Sequence, residues 1–175
     1  MTVMYGAAWV ALTAWAAANV LRACRHLPAA RLAWTCGALA LAGHVLLAFH
    51  VVHGWDHDAA FRAVALQTYA KTGLDWGGGL YVNYAFLALW LVDAAWWWLA
   101  RRAYESRPLW LDACVHFVFL FVFVNATIVF GTARAGLMGA PICAVGTVAW
   151  LLRTRPGGRA VQTTEPNSGE GKGPA

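Results

Sequence analysis

A bundle of membrane-crossing α-helices is the fold class this sequence predicts, and three features predict it. Hydrophobic residues make up 61% of the chain against 12% charged, more apolar side chain than a soluble domain of this length has polar surface to cover. The apolar residues fall in blocks of about twenty, the length that crosses a roughly 30 Å hydrocarbon core. Many of the eleven tryptophans sit near the block ends, where aromatic belts form at the two membrane surfaces. The expectation is an all-α integral membrane bundle of five transmembrane helices, with a short interfacial helix in the outer loop.

The spans are expected at about 3–21, 32–53, 79–100, 109–131 and 136–152. No lysine or arginine precedes the first block, as the start of a secretory leader would require, so it reads as a span. Asp93 and Asp112 fall inside spans or near their ends and should face away from lipid. Pro141 should kink the fifth span. Between the second and third spans, Phe61, Val64, Ala65 and Tyr69 recur at helical spacing. Asp58 is a candidate N-cap there and Gly73 a candidate C-cap, which predicts the interfacial helix. Residues 154–175 are rich in Gly, Pro, Thr and charge and read as a disordered cytoplasmic tail.

Charge sets the expected orientation. Arg22, Arg25, Arg31, Arg101, Arg102, Arg107, Arg153, Arg155 and Arg159 lie on one side of the spans, against Arg62, Lys71 and Arg134 on the other. The richer side should be cytoplasmic, with the N-terminus outside. Arginine outnumbers lysine eleven to two, a composition that suggests a GC-rich bacterial genome and so a bacterial inner membrane. The formal charge of +5 is dispersed between apolar blocks, which argues against a nucleic-acid partner. The expected partners are the lipid bilayer and another membrane protein or a second copy of the chain. Cys24, Cys36, Cys114 and Cys143 form no CxxC and no pair on the oxidising side, and they read as small buried hydrophobes.

The stretch HVLLAFHVVHGWDHD, residues 44–58, holds four of the six histidines. On one continuous helix, His50, His53 and His57 would fall within about a 60° arc, with Asp56 adjacent. Imidazoles with a carboxylate suit zinc, copper or iron, so these four residues form a candidate metal site at the extracytoplasmic end of the second span. Gly54 is the weak point of that arrangement. Deeper in the bilayer lie His44, Asp93 and His116. Asp93 and His116 lie at matched depth on neighbouring spans, roughly 12 and 10 Å in, and should hydrogen-bond to each other. Asn83 and Asn125 would extend this polar seam outward.

Haem fits less well, because His44 and His116 differ by about 8 Å in height and a bis-histidine site needs equal depth. No GxSxG or HExxH motif is present. Three functions remain open at this point: a metal-binding or redox-related membrane component using the histidine stretch, a non-catalytic subunit or scaffold, and a proton or small-solute transport component using His44, Asp93 and His116.

Overall fold

The computed structural model describes residues 2–155, apart from the side chains of residues 2–4. Among the described residues there is no strand. Five long helices close into a ring. They are α1 (Thr2–Ala23), α2 (Leu27–Ala48), α4 (Gly79–Leu99), α6 (Leu109–Val124) and α7 (Ala133–Thr154), and each lies against its neighbour in the order α1–α2–α4–α6–α7–α1. Among the described residues two shorter α-helices are also present: α3 (His57–Thr72), at one end of the ring, and α5 (Arg101–Glu105), at the other.

Four segments are long and apolar enough to cross a membrane: Leu27–His53, Gly79–Leu99, Leu109–Val129 and Ala133–Thr154. The expected first span corresponds to α1, which is as long as α7 at 22 residues. Ala11, Leu12, Trp15, Ala18, Asn19 and Arg22 are buried along α1 at spacings of three and four, so one continuous stripe of the helix faces the ring interior.

Several boundaries differ from the sequence expectation. α2 starts at Leu27 rather than 32, because Pro28 occupies the first turn, where its missing N–H costs nothing and its fixed φ suits a helix. α2 and α6 each end in a π-helical turn, Phe49–His53 and Asn125–Val129. α7 runs unbroken through Pro141. The N-cap of α3 is Asp56, not Asp58; its carboxylate accepts from the Ala59 amide at 3.0 Å. Gly73 closes the same helix in the left-handed region, with φ 76°. The expected tail lies outside the described residues beyond Arg155.

Aromatic rings fill the middle of the ring of helices. Phe119 stacks on Trp34 and meets Trp90 edge-on, both with centroids 4.8 Å apart, and Phe86 and Phe123 close the layer. Offset and edge-to-face pairs of this kind add about 0.5–1.5 kcal/mol each beyond area burial. Glycine makes room for the largest rings. A Cβ on Gly37 would stand 2.4 Å from the Trp90 ring, and one on Gly146 2.5 Å from Trp15. Close approach through small residues is the usual way membrane helices gain packing contact.

Two sequence readings change here. Trp97 is 1% exposed and stacks on Tyr104 at 4.6 Å, so it belongs to the core and not to an interfacial belt. Only Cys143 is buried; Cys24, Cys36 and Cys114 are exposed on the protein surface, and all four are free thiols.

Candidate functional site

The densest polar grouping lies at the arginine-rich end of the ring, and it begins with two aspartates that the fold turns inward. Asp93 in α4 and Asp112 in the first turn of α6 are each 4% exposed. A buried carboxylate needs donors, and five side chains supply them. α5 reverses the chain after α4, which brings Tyr104 and Arg107 back under Asp93. Tyr104 donates its hydroxyl to Asp93 Oδ2 at 2.7 Å, and Arg107 Nη1 donates to Asp93 Oδ1 at 2.6 Å. Arg107 also reaches Asp112 Oδ1 through Nε at 2.9 Å and Nη2 at 2.5 Å. Arg22, at the last turn of α1, meets the same oxygen at 3.4 Å. Asp112 Oδ2 accepts from the Trp150 indole at 2.8 Å and from Arg153 Nη2.

All four carboxylate oxygens are therefore taken up by side chains of the protein. Three guanidinium groups surround two carboxylates, which leaves one positive charge in excess. Aromatic faces share that charge: the guanidinium carbon of Arg22 lies 5.1 Å from the Trp97 ring centroid, and that of Arg107 4.2 Å from the Tyr104 centroid. Burial first, and then the Asp93 carboxylate, push the Tyr104 hydroxyl well above its ordinary pKa, so Tyr104 stays a proton donor. Burial works against the charge on Arg107, but Tyr104, Asp93 and Asp112 outweigh it and hold the group protonated.

His116, one turn beyond Asp112, stacks between two indoles, with ring centroids 4.6 Å from Trp150 and 5.4 Å from Trp15. It is 7% exposed, and its Nε2 has no hydrogen-bond partner among the described residues. It borders a cavity of about 10 Å³ lined also by Asn19, Arg22, Arg107 and Asp112, room for a single water molecule. The expected Asp93–His116 hydrogen bond is not made, because Arg107 and Tyr104 hold both Asp93 oxygens. The seam does not extend outward either. On α6, Asn125 and His116 are nine residues apart and so face opposite sides, about 180° from each other. The Asn125 amide bonds instead to the Phe121 carbonyl at 2.8 Å. Asn83 is exposed, and the layer of Phe86, Trp90, Phe119 and Phe123 separates it from Asp93. His44 is half-buried in α2.

At the opposite end, the single helical face that would gather three histidines does not exist. Gly54 and Trp55 both adopt positive φ, 57° and 65°, and break the helix between His53 and His57. His50 faces Trp55 at 6.2 Å, and His53 meets Phe49 edge-on at 5.8 Å. His57 turns to α4, with Nδ1 3.3 Å from the Tyr84 hydroxyl and Nε2 3.5 Å from that of Tyr81. Asp56 caps α3, and the Ala59 amide that it accepts lowers its pKa. Among the described residues, no three His, Cys, Asp or Glu side chains are grouped to hold a metal ion.

Sequence reasoning singled out Asp93 and His116 but missed Tyr104, Arg107, Arg22 and Arg153 as members of the cluster. Those arginines read as loop charges that set orientation. One signal could have found Arg22: with Trp15 and Asn19 it continues the inward stripe of α1. Comparison with protein families, with characterised proteins and with solved structures finds no match to this chain.

Proposed function

We propose that this protein is a non-catalytic component of a membrane, a five-span helical scaffold whose arginine–aspartate cluster clamps the helices together. The observation that carries this reading is the saturation of both buried carboxylates. With every oxygen of Asp93 and Asp112 accepting from Arg, Tyr or Trp, neither is left to bind a metal, activate a substrate or relay a proton. The adjoining cavity admits no more than a water. Removing one partner from a buried ion pair of this kind is strongly destabilising, because it strands the other charge. Here such pairs tie α1, α4, α6 and α7 at one level.

The fifth span in this reading is α1. At 22 residues it would extend about 33 Å, and its place in the ring between α2 and α7 favours a parallel crossing. The arginine-rich end is assigned to the cytoplasm of a bacterial inner membrane, with the N-terminus outside. Arg25, Arg31, Arg101, Arg102 and Arg155 remain there beyond the cluster, against Arg62, Lys71 and Arg134 at the other end.

Elemental analysis and an optical spectrum of the detergent-purified protein test the reading. The expected result is no stoichiometric transition metal and no haem absorbance. Stoichiometric zinc, copper or iron that disappears in a His53→Ala/His57→Ala double variant would establish the metal-binding reading in its place. For the orientation, a reporter tag beside Trp55 should react from outside the cell; reaction from the cytosol alone reverses the assignment.

A further inference from the structure

Arg31 differs from the arginines of the cluster. It lies in the second turn of α2, and among the described residues no carboxylate pairs with it and no acceptor takes its N–H groups. Its guanidinium lies instead over an aromatic ring, the guanidinium carbon 3.8 Å from the centroid of Trp98 in the last turn of α4. The ring is held there by a short relay. Trp98 Nε1 donates to Thr35 Oγ1 at 2.9 Å, and that hydroxyl donates to the Arg31 carbonyl at 2.9 Å. Thr35 is one turn beyond Arg31, so it pins the indole directly beneath the arginine's own head group.

This arrangement is unusual for a tryptophan near a helix end. An indole N–H at a membrane boundary ordinarily serves the headgroup layer. Here it is turned inward to orient the ring, and the charge presented at that boundary is the arginine's. A guanidinium held over a ring can offer its two Nη groups to a phosphate, and holding it there beforehand lowers the entropic cost of binding. The surroundings match a lipid. Leu32 and Leu39 on α2 and Leu99 on α4 are exposed on the same two helices.

We propose that Arg31 and Trp98 form a binding site for the phosphate of an anionic bilayer phospholipid, whose acyl chains lie along the exposed leucines of α2 and α4. Charge complementarity selects an anion, and the flanking apolar side chains select a lipid over a free phosphate.

Native mass spectrometry of the full chain in detergent tests this, with phosphatidylglycerol or phosphatidylcholine added at equal ratio. The wild type should retain phosphatidylglycerol several-fold more than phosphatidylcholine, and excess inorganic phosphate should not displace it. Arg31→Gln should bring retention down to the phosphatidylcholine level. Thr35→Val keeps the arginine but frees the indole, and it should lower retention several-fold. An Arg101→Gln/Arg102→Gln variant should bind as the wild type does. Equal retention of the two lipids, displacement by inorganic phosphate, wild-type retention in Arg31→Gln, or an equal loss in the Arg101/Arg102 variant would each overturn the site. If Arg31→Gln does not fold, Thr35→Val decides the matter, and unchanged retention in that variant overturns it.

Discussion

The ring of helices has a polar grouping at each end, and the two are built on different principles. At the arginine-rich end, Asp93 and Asp112 are buried, and side chains from α1, α5, the α5–α6 turn and α7 converge on them. At the histidine-rich end, His50, Asp56 and His57 are exposed, α2 and α6 end in π-helical turns, and His57 of α3 meets two tyrosine hydroxyls of α4 at 3.3 to 3.5 Å. The first end has charges that must be paired because they are dry. The second has groups that water or headgroups can satisfy individually. Chemical variety therefore misleads about importance in this chain: the end with the metal-like residues makes few side-chain hydrogen bonds between helices, and the end with ordinary loop arginines makes several charge-assisted ones.

The sharpest way to break this contrast is to remove one charge from the buried end. Asp112→Ala leaves Arg22, Arg107 and Arg153 facing one another without their shared carboxylate, and loss of one partner of a buried ion pair costs about 3–5 kcal/mol. Thermal unfolding in detergent should show a large drop in midpoint, whereas the triple change of His50, His53 and His57 to Ala should move stability by only about 0.5 kcal/mol per site. Equal effects at the two ends would erase the distinction. A smaller loss is expected for Tyr104→Phe, which keeps the ring stack on Trp97 and deletes only the hydroxyl donated to Asp93. A hydrogen bond to a charged group contributes about 1.5–3 kcal/mol, so the same unfolding assay should register a measurable but partial decrease.

The smallest effect concerns acid at the histidine end. The pKa of Asp56 is lowered by the Ala59 amide, so its capping contribution is complete above the ordinary carboxylate value of 3.8. That contribution is lost as pH falls through the lower, folded-state value. Hydrogen exchange at the first turn of α3 should quicken as the pH drops below that range, while amides flanking Asp112 remain protected. Exchange at Ala59 that is indifferent to pH, after correction for the intrinsic rate, would remove the cap from the description of this end.

Much of the helical framework was legible in the sequence because membrane-length apolar runs announce themselves by length and composition alone. Asp93 and Asp112 were also legible as inward-facing, since the cost of a charge in lipid leaves few alternatives. Their partners were not. Tyr104 and Arg107 reach Asp93 only because α5 folds the loop back, and nothing in the spacing of eleven and fourteen residues announces that reversal. The Asp93–His116 pair does not form because Arg107 and Tyr104 compete for the carboxylate, and equal depth does not decide between donors. The histidine site failed at Gly54, where a left-handed backbone ended the helical face that the pattern assumed. Asn125 failed on azimuth: depth suited the seam, but the residue faces away from His116.

A double-mutant cycle between Arg107 and Asp112, using Arg107→Gln and Asp112→Asn and measuring unfolding free energy in detergent, tests the clamp most directly. Two residues joined by hydrogen bonds of 2.5 and 2.9 Å should show a favourable coupling energy, toward the upper part of the range of about 0.5–3 kcal/mol found for residues in one network. Additive losses, with the two changes acting as if they were far apart, would contradict it.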